Sequence, residues 1–269
     1  MSAASGPRGL LVKPMREYLT YFATQMTNRQ VFLLNFSSDF RVFETLLGDL
    51  RCTWSRLGSE GDLSGHSLAG LLPFANILVR HTLVGFQHIT SYQSFLAWLT
   101  FRPGLEALLM IGKFVDDPAN ATVWKNRQGD RKAYRKTFDG NALESKSLPR
   151  SGDFRRVLSR LNDQFMHPNP DFAFRDATQT AEENAVLLEI QFFDTSPVHH
   201  EAHLLAYVNL IDRVVDASER LVSSLCGPSP LASGIRQAYS NQEGSRANRL
   251  AAQDASAKRV MLELGLWDA

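Results

Sequence analysis

The strongest constraint on this chain is the repeated spacing of its apolar residues by four and then three positions. Phe36, Phe40, Phe43, Leu47, Leu50, Trp54 and Leu57 follow that rule and would line one stripe of a helix from about Ser38 to Leu57. Met15, Leu19, Phe22 and Met26 do the same over an earlier helix, about Met15 to Phe36. A longer stripe runs through Leu68, Leu71, Ala75, Leu78, Thr82, Phe86, Ile89, Tyr92, Leu96 and Leu99, between His66 and Thr100. Leu204, Val208, Ile211, Val215, Ser218, Val222 and Leu225 repeat it between about Pro197 and Leu225. A strand alternates with a period of two and carries no such stripe. The expectation is a mainly α protein, a helical bundle of about six to eight helices.

Punctuation residues divide the stripes. Phe101-Arg102-Pro103-Gly104 should interrupt the longest one, with Pro103 opening a new helix to about Val115. Asp117-Pro118 breaks the pattern again, and Ala119 to Lys136 is polar with mixed helical tendency. Ser151 or Asp153 should cap a helix whose apolar side is Phe154, Val157, Leu158, Leu161 and Phe165. His167-Pro168-Asn169-Pro170 ends it, because residues before proline are pushed out of the α region. Val186, Leu188, Ile190 and Phe192 alternate as a strand does, with Phe172-Ala173-Phe174 as a partner, while Thr180 with Glu183 reads as a helix-capping box. A short β-hairpin around 172–193 is the expectation. The chain thus divides into a flexible N-terminus (1–14), the bundle (15–227) and a tail (228–269) whose amphipathic helix ends in Val260-Met261-Leu262-Glu263-Leu264.

Charge and cysteine content narrow the function classes. The 29 Lys+Arg against 28 Asp+Glu leave a net charge of +1, which excludes a uniformly basic nucleic-acid coat and an acidic disordered chain. The charges segregate, however. Lys125 to Arg156 holds ten Lys/Arg and four Asp/Glu, whereas Asp171 to Asp194 holds six acidic residues and one Arg. Cys52 and Cys226 have no C-x-x-C partners and are expected as buried free thiols of a cytoplasmic protein. Leu68 to Val79 is the longest apolar stretch and contains Pro73 and Asn76, short of the roughly twenty residues that span a bilayer, so no membrane segment is expected. No phosphate-binding P-loop, dinucleotide fingerprint or nucleophile elbow occurs, which leaves ATP-driven and α/β-hydrolase chemistry without support.

The most suggestive constellation is Arg160 and His167, separated by six residues. Seven steps of about 100° come within about 20° of two full turns, so both side chains would share a helix face. Arg156 and Asp163 fall on that polar stripe, opposite Phe154, and Asn162 lies beside it. An imidazole can move a proton near neutral pH, and a guanidinium can hold a phosphate through two parallel hydrogen bonds. Together they can cleave RNA without a metal, the guanidinium steadying the developing charge. The alternative is a solvated face on which Asp163 pairs with Arg160 and His167.

With Arg102-Pro103-Gly104-Leu105-Glu106-Ala107, Leu158-Ser159 and His167-Pro168-Asn169-Pro170, the chain resembles HEPN-like bacterial proteins over roughly residues 66–225. The resemblance implies a helical bundle and an Arg/His motif with about four to six intervening residues, here Arg160 and His167. It further implies metal-independent ribonuclease or toxin activity without a cofactor, in phage defence or a toxin–antitoxin pair, with the active site assembled across a homodimer. The family has a polar residue directly after the Arg, whereas this chain has Leu161.

Other candidates stand apart from that motif. Arg102 precedes Glu106 by four residues and is expected to form a structural ion pair with it. Lys125, Arg127, Arg131, Lys132, Arg135 and Lys136 form a basic block able to hold a phosphate backbone, or else a solvated surface balanced by the acidic segment. Trp124, Tyr134 and Phe138 are its aromatic company. His199 and His203 sit four apart and can chelate an ion from a helix, with Asp194 or His167 as conceivable third ligands. His81 and His88 are expected as core or interface histidines. A silent module that binds RNA, or a partner protein through the C-terminal helix, is the alternative to the ribonuclease, and a metal-binding protein is the third reading.

Overall fold

A computed structural model describes residues 8–59, 70–163, 177–182, 185–190, 193–194, 196–227 and 246–253, with isolated helical positions at 255, 258, 259 and 262. The chain is mainly helical. Its order is α1 (Arg8–Asn35), α2 (Ser37–Ser59), α3 (Leu72–Ile89), α4 (Ser94–Asp116), α5 (Ala119–Lys125), α6 (Arg131–Phe138), a 3₁₀ turn (Gly140–Leu143), α7 (Ser151–Leu161), β1 (Ala177–Glu182), β2 (Ala185–Ile190) and α8 (Pro197–Cys226). Helical backbone continues over 246–253. The first helix starts at Arg8, inside the span expected to be flexible, because the run around Leu10 extends it upstream of Met15.

The α3–α4 hairpin is the centre of the bundle, with α2 packed on α8 and α7 laid across α4. Phe43 stacks on Phe86 with ring centroids 3.6 Å apart. Tyr207, fully buried, sits among Phe86, Trp98 and Phe101, and its hydroxyl donates to Thr82 O at 2.8 Å. Such aromatic pairs add directional preference to area burial, which fixes how α8 seats on the hairpin.

The break in the long stripe falls at Thr90–Gln93 and not at Phe101–Gly104. The hydroxyls of Thr90 and Ser91 bond back to Gln87 O at 2.9 and 2.8 Å, competing with the helical ladder, and Tyr92 adopts φ 60°. Pro103 instead lies inside α4. Beside it, Gly104 lets α3 pass close: a Cβ there would lie 3.1 Å from His81 Cβ and 3.4 Å from Leu78 O. The Pro-Gly pair that reads as a helix boundary is a crossing point of two helices. By length and composition α4 is apolar enough to cross a membrane, but 61% of its apolar window is buried against other helices of this chain.

Helix α7 begins with Arg150, at φ 60°, in the capping position, without a side-chain capping bond. Ser151 instead accepts from Ser145 N at 2.7 Å, so neither it nor Asp153 is the cap. The hairpin pairs Ala177 with Ile190 and Glu182 with Ala185 in antiparallel register. The partner of the Val186–Ile190 strand is therefore 177–182; Thr180 lies within that strand, and Phe172-Ala173-Phe174 lies outside the described residues. Both cysteines are free, but Cys52 is exposed and Cys226 half-buried, in contrast to the buried thiols expected.

Candidate functional site

The side chains of three elements converge on a cavity of about 660 Å³. Helix α4 contributes Arg102 and Glu106, one turn apart; α6 contributes Arg131, Tyr134 and Arg135; and α7 contributes Arg155 and Ser159, with Asn162 and Asp163 just beyond its end. Arg127 and Asp139 complete the rim, and Phe138, Leu143 and Leu158, all nearly buried, form an apolar floor.

The local folding of each wall is specific. Asp130 starts α6 by accepting from Ala133 N at 2.9 Å. Helical spacing then places Arg131 and Arg135 on one face, roughly 5–6 Å apart at Cβ. Asp116, at the end of α4, accepts from Ser145 Oγ, Lys146 N and Ser147 N at 2.8 to 3.1 Å and pins the loop before α7. Burial pushes its carboxyl up, but the Lys146 and Ser147 hydrogen bonds outweigh that and hold it below the ordinary value. Gly112 permits the approach: a Cβ there would lie 2.7 Å from Ser145 Oγ and 2.9 Å from Leu148 Cβ.

The five guanidiniums of the lining differ in how they are held. Arg102 pairs with Glu106 at 3.1 Å and donates to Asn162 Oδ1 at 2.5 Å. Arg155 pairs with Glu144 at 2.6 Å. Arg127 lies 4.0 Å over the Trp124 ring and donates to Trp124 O. Arg131 and Arg135 are exposed and have no hydrogen-bond or ion-pair partner among the described residues. Burial first, and then the Glu106 carboxylate, raise the Tyr134 hydroxyl above its ordinary value, so it stays a neutral donor at physiological pH.

The expected Arg102–Glu106 pair is present, half-buried in the cavity wall. The basic block divides: Arg127, Arg131 and Arg135 line the cavity, while Lys125, Lys132 and Lys136 are exposed and do not. Asn162 and Asp163 line it as well, and Asp163 makes no ion pair with Arg160. Arg160 points elsewhere and donates to Leu262 O at 2.9 Å, and Arg156 pairs with Asp153. His167, the other member of the Arg160/His167 motif, lies outside the described residues. Arg155 was not singled out from the sequence, and Ser159 was placed in no site there. Their signal was the spacing 155, 159, 162, a second polar face of α7 beside the Arg156/Arg160 stripe.

The histidines near α8 are organised around other bonds. His199 and His203 rings meet at 4.6 Å, but His203 Nδ1 accepts from Trp98 Nε1 at 2.9 Å. Among the described residues no three His, Cys, Asp or Glu side chains gather as a metal site. Asp194 turns to His200, accepting from its Nδ1 at 2.8 Å and from Ser94 Oγ at 2.5 Å. His200 is fully buried and stacks on Tyr92 at 3.8 Å. Its position one turn before Leu204, on the same stripe, was the sequence signal for burial. His81 Nδ1 pairs with Thr100 O and His88 Nδ1 with Gln93 Oε1, both half-buried in the α3–α4 hairpin.

The C-terminal helical segment packs on its own bundle. Leu250 is fully buried with Ala202 and Leu205, and Arg246 bridges Asp39 at 2.5 Å and Glu201 at 2.7 Å. No protein-family model, curated protein or solved structure matches this chain.

Proposed function

We propose that the protein is a helical module that binds RNA by its phosphates in the cleft between α4, α6 and α7. The observation that carries this reading is the convergence of five arginines on one cavity, with Arg131 and Arg135 left without partners among the described residues. A guanidinium recognises a phosphate through two parallel hydrogen bonds, and an unpartnered one loses no ion pair when it does so. The apolar floor and Tyr134 offer flat surface for a base, which suits single-stranded RNA better than a duplex.

Binding is favoured over cleavage because Arg160 bonds to Leu262 O outside the cleft. The HEPN-like ribonuclease, acting in defence as a homodimer, remains the catalytic form of the proposal and rests on Arg160 and His167. One experiment separates the two. Labelled single-stranded RNA is incubated with full-length protein, and both retention and chain length are followed. Binding without cleavage supports the module. Cleavage that is abolished by Arg160→Ala and by His167→Ala in folded protein supports the ribonuclease. No retention and no cleavage would overturn both.

A further inference from the structure

The cleft carries more chemical detail than affinity for a polyanion. Of its five arginines, Arg102 is paired with Glu106 and Arg155 with Glu144, while Arg131 and Arg135, without partners among the described residues, present two positive charges to the cavity. An internal phosphodiester carries a single negative charge, whereas a phosphomonoester carries about −1.5 to −2 near neutral pH. That pair of positive charges matches the monoester. Arg131 and Arg135 stand one helical turn apart on the same face of α6, so their forks can close on one phosphate from two sides.

The rest of the cavity suits the remainder of a nucleotide. Phe138, Leu143 and Leu158 are nearly buried and offer an apolar surface to a ring. Among the described residues, Glu106, Asp139 and Asp163 have no side-chain hydrogen-bond donor beyond the Arg102–Glu106 pair. Carboxylates at such a position accept from exocyclic amino groups of bases or from ribose hydroxyls. A volume of about 660 Å³ lies within the roughly 300–1,000 Å³ of sites that enclose one small ligand.

We infer that the cleft recognises a nucleoside phosphomonoester, free or as the phosphorylated end of an RNA strand, with the phosphate held between Arg131 and Arg135. This inference rests on the RNA-binding reading and narrows it to the end group. Isothermal titration of the full chain tests it with adenosine and cytidine, their 5′-monophosphates, and one short single-stranded RNA carrying either a 5′-phosphate or a 5′-hydroxyl. The monophosphates should bind at least tenfold more tightly than the nucleosides. That preference should vanish in the Arg131→Ala/Arg135→Ala variant and persist in Lys132→Ala/Lys136→Ala, whose lysines share α6 but lie off the cavity.

All four residues are exposed, so both variants should fold, and an unchanged melting temperature verifies it. A tenfold preference for the phosphorylated RNA identifies the strand end as the source. A preference confined to the monophosphates identifies the free nucleotide. If RNA binds equally with either end and monophosphates bind no better than nucleosides, the end-group inference falls and RNA binding stands. If no ligand binds, both fall.

Discussion

Replacing Asp194 by alanine should cost about 2–6 kcal/mol of stability, because its carboxylate ties α8 to the α3–α4 turn from within the fold. The Asp194 side chain is 9% exposed and that of His200 is 0% exposed. The carboxylate accepts from Ser94 Oγ at 2.5 Å and His200 Nδ1 at 2.8 Å, while Asp194 N donates to Tyr92 O at 2.6 Å. Alanine keeps the backbone bond but orphans the hydroxyl and the imidazole nitrogen. Among the described residues His200 Nε2 has no hydrogen-bond partner, so the ring has no second polar anchor. Each of the two orphaned buried groups costs about 1–3 kcal/mol, together about 2–6 kcal/mol. Urea unfolding of wild type, Asp194→Ala, His200→Ala and the double variant measures it, with a coupling of about 0.5–3 kcal/mol between the two positions. Melting should fall by about 2–4 °C per kcal/mol. A loss below about 1 kcal/mol, the worth of an exposed pair, with additive effects would refute the reasoning.

The same carboxylate makes stability acid-sensitive. Burial raises the Asp194 carboxyl, but the His200 hydrogen bond and charge outweigh it and hold the group below 3.8. A folded value below the unfolded one gives stability that is present above the unfolded value and lost as pH falls through the folded one. Asp194→Ala should therefore show a shallower loss below about pH 4 than wild type, and equal slopes would contradict this. Gly112→Ala should cost about 1–3 kcal/mol, since its Cβ would lie 2.7 Å from Ser145 Oγ and loosen the loop that carries Glu144 to Arg155. Thermal melting with phosphate titration checks both effects, and full retention of both would count against the close packing. Gly85→Ala would clash with the Tyr207 hydroxyl, so its cost should shrink in a Tyr207→Phe background, and additive costs would argue against that contact.

The faces were legible where a helix buries a stripe of fixed period, as Phe43, Leu50 and Trp54 do on α2 and Leu204, Val208 and Ile211 on α8, but not on α1, where Leu19, Phe22 and Met26 are exposed. The breaks were less legible. Pro103-Gly104 carries the strongest breaker signal in the chain, yet it lies inside α4, where tertiary packing of α3 against Gly104 overrides local preference. The true turn, Thr90–Gln93, is marked by hydroxyls that compete for Gln87 O, a weaker signal spread over neighbouring residues.

The site was half legible. Local charge density pointed to Arg127, Arg131 and Arg135, and four-residue spacing to Arg102–Glu106. That α7 brings Arg155 and Asn162 to them depends on the α4–α7 crossing, a long-range relation that sequence period does not encode. Period alone could not choose between the two polar faces of α7, and the Arg156/Arg160 face lies off the cleft.

The most direct test of phosphate binding at the cleft is the salt dependence of affinity for single-stranded RNA, measured on wild type and Arg131→Ala/Arg135→Ala. Each phosphate contact on a single strand contributes about 0.7 to the slope of log K against log salt. Removal of both arginines, which hold one phosphate between them, should weaken binding and lower the slope by about 0.7. An unchanged affinity and slope in the folded double variant would contradict the account.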